Sequence, residues 1–196
     1  MSRPMRVVYV GTGISGRNTT LTGLVFGRVR HDVVVGVSRR DISTGFMRVT
    51  RCFGERVEVL CAVSRARAFY FYKDASDPDL STEVLEEIDT LRSVDGLVVV
   101  VDCRPQRAEA AAEALDRLHH DLTYVGRRLA DIPHVFQLTH LDWPGASVPR
   151  VIAELREVRP KYVFESHPPS MTGTCEPLVA VVEQIVATQA KVSRQA

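Results

Sequence analysis

The sequence predicts an α/β domain in which helices cover both faces of a mostly parallel sheet, in three layers (α/β/α). Short apolar runs rich in β-branched residues alternate with segments whose apolar residues recur at helical spacing. The run Leu97–Val101 is apolar throughout, as a strand covered on both faces must be. The length of 196 residues, with 45% hydrophobic and 25% charged residues, suits one globular domain. We therefore expect a single domain over residues 1–196, with a polar tail from about residue 190.

Strands and helices are expected in alternation along the second half of the chain, and the first half is richer in strands. The expected strands are Met5–Val10, Val33–Val37, Arg56–Val63, Ala66–Tyr72, Leu97–Val101, His134–Leu138 and Tyr162–Glu165. The stretch from Arg17 to Phe26 is compatible with a helix. Apolar residues recur at helical spacing in four later segments: Val84, Ile88 and Leu91; Ala111, Leu115, Leu118 and Leu122; Val148, Val151, Leu155 and Val158; and Leu178, Val181, Val182, Ile185 and Val186.

Charge and cysteine usage exclude several classes of function. Twenty-five Lys and Arg against 24 Asp and Glu leave a net charge of +1, so the sequence predicts neither nucleic acid nor an anionic membrane as a partner. Apolar runs are far shorter than the ~20 residues that span a bilayer, and the amino terminus has no signal-like pattern. The sequence therefore predicts a cytoplasmic protein without a transmembrane segment. Its scattered cysteines are expected as reduced core thiols rather than as metal ligands; they are Cys52, Cys61, Cys103 and Cys175.

The loop that follows the first expected strand is rich in glycine. It reads Gly11-Thr12-Gly13-Ile14-Ser15-Gly16-Arg17-Asn18 and is followed by Thr19. It fits the dinucleotide motif GxGxxG and also the frame of a P-loop, GxxxxGK[ST]. The candidate nucleotide-binding residues here are Gly11, Gly13, Ser15, Gly16, Arg17, Asn18 and Thr19. A glycine-rich turn without a ligand is the third interpretation.

As a P-loop, the segment departs from the motif at two chemically decisive positions. Arg17 stands where the phosphate-binding lysine is expected, and its wide planar fork does not replace a narrow ammonium. Asn18 stands where a hydroxyl should bind Mg²⁺, and an amide oxygen is a poorer ligand in that octahedron. Backbone N–H groups could still cradle a phosphate.

The order of motifs resembles the bacterial gliding-motility small GTPases of the MglA type, within the Ras-like superfamily. The resemblance covers roughly residues 5–186 and rests on Gly11–Thr20, on Val94-Asp95-Gly96 before the strand that ends at Asp102, on Ile132–Gln137, and on Pro169–Gly173. It implies a Ras-like P-loop GTPase fold. Active members of this family are polarity switches that bind a Roadblock/LC7-domain partner and motility machinery.

The same resemblance implies that the catalytic apparatus is degenerate. Family members carry a glycine and a glutamine in the second switch, whereas the segment after Tyr72 reads Lys73-Asp74-Ala75-Ser76-Asp77. Their guanine-reading NKxD element corresponds to Thr139, His140, Leu141 and Asp142, in which the aspartate alone is retained. Since phosphoryl transfer depends on these positioned groups, the sequence predicts a pseudo-GTPase without catalytic residues. It requires no cofactor or metal, and any GTP or GDP is expected to bind weakly and without Mg²⁺.

Two further expectations concern ligands and partners. Ser166-His167-Pro168 corresponds to the loop that closes over the base, so His140 and His167 are expected near each other. A protein partner is expected on a switch-like surface, basic over Arg39–Arg51 and acidic over Lys73–Leu80. One alternative is an altered guanine-nucleotide switch. Another is an NADP-binding oxidoreductase, in which GxGxxG binds the dinucleotide and Arg39 and Arg40 meet the 2′-phosphate.

Overall fold

A computed structural model describes residues 5–11, 33–36, 46–52, 57–61, 90–148, 162–170 and 172–193. Within these residues the chain forms seven strands and two long helices. The strands are β1 (Met5–Gly11), β2 (Val33–Gly36), β3 (Phe46–Cys52), β4 (Val57–Cys61), β5 (Gly96–Asp102), β6 (His134–Thr139) and β7 (Val163–Glu165). The helices are α1 (Ala108–Tyr124) and α2 (Glu176–Ser193). Three short 3₁₀ segments span Pro105–Arg107, Leu129–Asp131 and Pro168–Ser170.

The strands form one sheet in the order β2-β3-β4-β1-β5-β6-β7. Strands β4, β1, β5, β6 and β7 run parallel to one another. Strand β3 is antiparallel to both of its neighbours, β2 and β4. The five parallel strands therefore end at one edge of the sheet, which is where an open α/β sheet binds its ligands.

Successive residues of the central strands point to opposite faces of the sheet, and each face carries its own core. Val8, Val99 and Phe136 pack with the apolar side of α1. Val7, Val98 and Val135 point to the opposite face and pack with α2. Because the central strands are covered on both sides, they consist almost entirely of apolar residues. The predicted α/β/α arrangement is confirmed.

Helix α2 lies so close to the sheet that β5 begins with a glycine. A Cβ at Gly96 would come within 2.7 Å of Val181 Cγ2 and 2.8 Å of Ile185 Cδ1. The start of β5 is therefore fixed by close packing against the helix.

Within the described residues, most expected elements are confirmed and some need correction. Strand β3 was not expected, since no strand is predicted between Val37 and Arg56. Helix α2 continues to Ser193. Val186, assigned to the apolar face of α2, is 39% exposed.

Other expectations lie wholly or partly outside the described residues. They are the strand Ala66–Tyr72, the helix from Arg17 to Phe26, most of the helix that includes Val84 and Ile88, and the helix that includes Val151, Leu155 and Val158. Of the helix expected before β5, residues 90–93 are described and are helical. A single domain over the whole chain stays a prediction.

Candidate functional site at the carboxyl edge of the sheet

Four neighbouring parallel strands end at this edge of the sheet. Strand β1 ends at Gly11, β5 at Asp102, β6 at Thr139 and β7 at Glu165. His140 and Asp142 follow Thr139 directly. The fold therefore brings the first residue of the glycine loop and the NKxD-like segment to one side of the sheet.

Asp102 is the centre of a charged cluster at this edge, and it is fully buried. Its Oδ2 accepts a hydrogen bond from Arg104 Nη2 at 2.6 Å, and its Oδ1 accepts one from Arg104 Nε at 2.9 Å. The backbone N–H of Arg104 donates to the same Oδ1 at 3.1 Å. Arg107 Nε lies 3.8 Å from Oδ2, and His140 Nδ1 lies 3.5 Å from Oδ1. This bidentate pairing raises the pKa of the Arg104 guanidinium above its usual value.

The side chains of Thr139 and His140 make their contacts with buried parts of the protein. The buried Thr139 hydroxyl donates to the carbonyl of Val101 at 3.1 Å. His140 Nδ1 lies 3.1 Å from Thr139 Oγ1. Since that hydroxyl gives its hydrogen to Val101, its oxygen accepts here, and Nδ1 is the protonated nitrogen. His140 also adopts the left-handed conformation (φ 57°), which a non-glycine residue keeps where its surroundings fix it.

Asp142 differs from these residues because its side chain is 65% exposed. Its Oδ2 lies 3.5 Å from His167 Nε2, on the loop that follows β7. The other ring nitrogen of His167 is 2.7 Å from Ser170 Oγ. The two histidines therefore contact different carboxylates, His140 with Asp102 and His167 with Asp142.

The loop after β7 is fixed by its own contacts and by a glycine. His167 pairs with Thr172 through the backbone, and Ser170 Oγ donates to the carbonyl of His167 at 3.2 Å. Gly173 has φ 65°, and a Cβ at this position would collide with the carbonyl oxygen of Glu165. This loop is thus tightly folded against the end of β7.

A buried polar pair ties the same loop to β6. Gln137 Nε2 donates to Ser166 Oγ at 2.8 Å, and Ser166 N–H donates to the carbonyl of Leu138 at 2.8 Å. Both side chains are buried. The loop after β6, which carries Asp142, and the loop after β7, which carries His167, are therefore held at a fixed separation.

Cys103 lies beside Asp102 but is not a reactive thiol. Its side chain is buried, and burial raises the pKa of the thiol to about 12, with smaller contributions from Asp102 and Glu165. A thiol with this pKa carries almost no thiolate at neutral pH. The expectation of a reduced core thiol is confirmed for Cys103, which is free and buried.

The described residues contain neither a metal-binding cluster nor a membrane-spanning helix. No three His, Cys, Asp or Glu side chains of the described residues are grouped closely enough to hold a metal ion. Neither α1, α2 nor another described helix has the length and apolarity to cross a bilayer.

Only part of the predicted site can be placed. Gly11, Thr139, His140 and Asp142 lie at the carboxyl ends of β1 and β6, and their part in nucleotide binding stays a prediction. The remaining candidates, Gly13, Ser15, Gly16, Arg17, Asn18 and Thr19, lie outside the described residues.

Sequence reasoning missed the role of Asp102 and Arg104. The available signal was an aspartate that directly follows an entirely apolar strand, with two arginines close behind it. Asp95, in the motif that precedes β5, is a structural residue: its Oδ2 accepts a hydrogen bond from the backbone N–H of Arg6 at 2.8 Å.

The mostly parallel sheet with helices on both faces is consistent with an α/β fold of the P-loop GTPase-like class. No protein-family model matches the chain. Over 101 residues the chain is 32% identical to the mutual gliding-motility protein MglA of Myxococcus xanthus (strain DK1622). The aligned stretch is 52% of this chain and 51% of that protein, so the chain matches about half the length of this curated relative. The similarity supports a distant relationship to MglA-like, Ras-like proteins.

Proposed function

We propose that this chain is a non-catalytic Ras-like regulatory protein that acts through protein contacts in the cytoplasm, in bacterial motility, cell polarity or signalling. The similarity to MglA supports the regulatory role and its connection with motility. The replaced residues at Arg17, Asn18 and Ser76-Asp77 support the loss of catalysis. Several groups that stabilise a phosphoryl-transfer transition state are replaced together, and such groups can be worth ~10³ or more in rate.

One observation carries the proposal: the residues of the segment that would bind guanine make contacts with other residues of the protein. The Thr139 hydroxyl is buried and donates to Val101, and His140 Nδ1 faces Thr139 and Asp102. Asp142 is left exposed, but it faces His167. A purine would therefore meet one carboxylate that is already in contact with a histidine, and discrimination of guanine should be weak.

Two measurements test the loss of catalysis. We expect no GTP hydrolysis above buffer, with or without a Roadblock/LC7-domain protein, and the control is an Asn18→Ala variant. Multiple-turnover phosphate release that disappears in this variant would contradict the proposal. Restoring Arg17→Lys and Asn18→Thr should improve binding more than hydrolysis, since the second switch would still lack its water-positioning glutamine.

Nucleotide binding separates this proposal from an altered but functional switch. The observation that favours the switch is that Asp142 is retained and 65% exposed. Calorimetry with GDP and GTP, with and without EDTA, should give weak binding that does not depend on Mg²⁺. Tight, metal-dependent binding that is selective for guanine and lost in Asp142→Asn would favour the switch. The nucleotide carried by the purified protein is a second, independent measurement.

The sheet order argues against the NADP-binding alternative. In a dinucleotide-binding fold, the strand that precedes the ribose-contacting residues is the neighbour of the first strand. Here β2 is separated from β1 by β3 and β4, and it lies at the outer edge. Arg39 and Arg40, which follow β2, are outside the described residues.

We further propose that partner binding is constitutive and uses the switch-like surface over Arg39–Arg51 and Lys73–Leu80. Without γ-phosphate contacts, a nucleotide has the same affinity for two conformations of this surface and cannot shift their populations. Pull-downs with wild type, an Arg39→Glu/Arg40→Glu variant and Arg17→Ala test this. Loss of the partner in Arg17→Ala, with retention in the double variant, would show that the nucleotide site is the functional element.

A further inference from the structure

Asp142 and His167 bring the loops after β6 and β7 into contact. Asp142 Oδ2 lies 3.5 Å from His167 Nε2, and the two side chains are 65% and 43% exposed. The loop that carries Asp142 is closed by a hydrogen bond from the backbone N–H of Trp143 to the carbonyl of His140 at 3.2 Å. The loop that carries His167 is tied to β6 through Ser166. Two loops that are each fixed by their own contacts therefore meet at these two side chains.

Hydrogen bonds within the loop after β7 determine which ring nitrogen of His167 holds the proton when the ring is neutral. Nδ1 lies 2.7 Å from Ser170 Oγ. The Ser170 hydroxyl donates its hydrogen to the carbonyl of His167 at 3.2 Å, and Thr172 Oγ1, 3.0 Å away, is a second acceptor. Ser170 Oγ therefore accepts from Nδ1–H. A neutral imidazole has one ring proton, so Nε2 then faces the Asp142 carboxylate with a lone pair and cannot donate to it.

Protonation of the His167 ring reverses this interaction. An imidazolium donates from both nitrogens, so Nδ1 keeps its bond to Ser170 and Nε2 gains a hydrogen to donate to Asp142. A histidine ordinarily changes its charge between about pH 5 and 8, whereas an aspartate ordinarily stays ionised in that range. The contact is therefore attractive and charge-assisted at acidic pH, and it loses its hydrogen bond at alkaline pH.

The other charged and titratable groups on the described elements around this contact lie on the loops after β5 and β6, at the end of β7 and at the start of α2. They are Arg104, Arg107, His140, Glu165 and Glu176. The two arginines and His140 all contact Asp102. The two glutamates are exposed and carry the same sign of charge as Asp142. Residues 140–148, 162–170 and 172–180 contain no Arg or Lys. Protonated His167 is thus the cation that the structure places beside Asp142.

We propose that protonated His167 competes with a bound base for Asp142, so that nucleotide binding is weaker at acidic pH. This inference rests on the weak nucleotide binding proposed above. Guanine presents a ring N–H and an amino group on one edge, and a carboxylate at Asp142 would accept from them. An oxygen that accepts from the His167 ring is less available to the base. Neutral His167 leaves the carboxylate open, because its Nε2 has no hydrogen to donate.

Calorimetry with GDP at pH 5.5 and pH 8 tests the proposal. The phosphates of GDP also titrate in this range, so the measured quantity is the difference between proteins. From pH 5.5 to pH 8 the affinity of wild type should rise about threefold more than that of His167→Ala, since an exposed ion pair contributes modestly. His120→Ala is the matched control: on α1, His120 Nδ1 lies 3.4 Å from Asp121 Oδ1, and its removal should leave the pH dependence of wild type.

Ser170→Ala should act in the opposite direction to His167→Ala. It removes the acceptor of Nδ1–H, so the neutral ring of His167 can hold its proton on Nε2 and donate to Asp142. We expect Ser170→Ala to bind GDP more weakly than wild type at pH 8, whereas His167→Ala binds more tightly than wild type at pH 5.5. A readout without ligand is the ¹H–¹⁵N correlation spectrum of the His167 ring, which should show the proton on Nδ1 in wild type at pH 8 and partly on Nε2 in Ser170→Ala.

Three results would overturn the competition: the same pH dependence in wild type and His167→Ala, a wild-type ring protonated on Nε2 at pH 8, or no GDP binding by either protein at both pH values. Failure of the proposed function has different signs. GTP hydrolysis, or tight binding that needs Mg²⁺, would contradict the non-catalytic role whatever His167 does. A flat pH dependence in a protein that does not hydrolyse GTP would remove the competition and leave that role intact.

Discussion

Two aspartates at the same edge of the sheet, Asp102 and Asp142, have opposite environments. Asp102 is fully buried and contacts two arginines and a histidine, whereas Asp142 is 65% exposed and contacts one histidine. A buried carboxylate must be satisfied by the protein itself, since leaving it unpaired is costly. An exposed carboxylate keeps lone pairs available for a ligand. At this edge, burial separates the residue that holds the loops from the residue that can meet a ligand.

The largest effect is expected for a substitution of the buried aspartate, Asp102. Asp102→Asn should lower the free energy of unfolding by about 2–4 kcal/mol, because Arg104 and Arg107 lose the carboxylate between them. Urea unfolding measures the loss, and Asp142→Asn is the matched control with the same chemical change. A loss below about 1 kcal/mol would mean that solvent replaces Asp102 as the partner of the arginines.

A second substitution acts on the loop that brings His167 to Asp142. Gly173→Ala should destabilise the protein by about 2 kcal/mol, since the side chain would meet the Glu165 carbonyl in a left-handed conformation. Gly126→Ala is the matched control: Gly126 has φ 74°, but a Cβ there has nothing within 4 Å. Thermal unfolding of both variants separates the collision from the cost of the conformation. Equal losses of stability in the two variants would show that the loop after β7 rearranges to accommodate the added methyl group without strain.

Alkaline pH should reveal the burial of Cys103 beside Asp102. Its folded-state pKa of about 12 lies above the ordinary value of 9.0. The folded protein therefore keeps a proton that the unfolded chain releases, and stability is fully present below about pH 9 and falls as pH rises toward 12. The slope from this thiol should be at most about 1.4 kcal/mol per pH unit, and Cys103→Ser should remove it. Urea unfolding at pH 8 and pH 10 compares the two proteins; an identical slope in both would contradict the assignment.

The smallest effect is expected on the exposed side of the comparison. Asp142→Asn and His167→Ala should each change the free energy of unfolding by less than about 0.5 kcal/mol, because the two side chains are 65% and 43% exposed and an exposed pair contributes little. The same unfolding assay checks this. A loss comparable with that of Asp102→Asn would remove the distinction between the two carboxylates.

The fold could be predicted well where the local pattern is strong. The buried strands β1, β5 and β6 and the apolar side of α1 follow directly from runs of branched residues and from helical spacing. Strand β3 was missed because Arg48, Thr50 and Arg51 interrupt its apolar residues. Its pairing with β2 and β4 on either side makes it a strand, and such pairing between separate segments leaves little trace in the local sequence.

For the segment that contains Thr139, His140 and Asp142, the place at the carboxyl edge could be predicted, since parallel strands end there together, but the side-chain contacts could not. That Asp102 contacts His140 depends on the parallel pairing of β5 with β6, which places Asp102 opposite Thr139.

The sequence by itself determined the fold class and the buried core strands, because both are written in residue type and local spacing. The tertiary structure alone decided which polar side chains are buried: Asp102 and Thr139 are enclosed, while Asp142 and Trp143 face solvent. Burial depends on segments that are distant in the chain and adjacent in space. It therefore follows from the packing of strands and loops, and not from any single stretch of sequence.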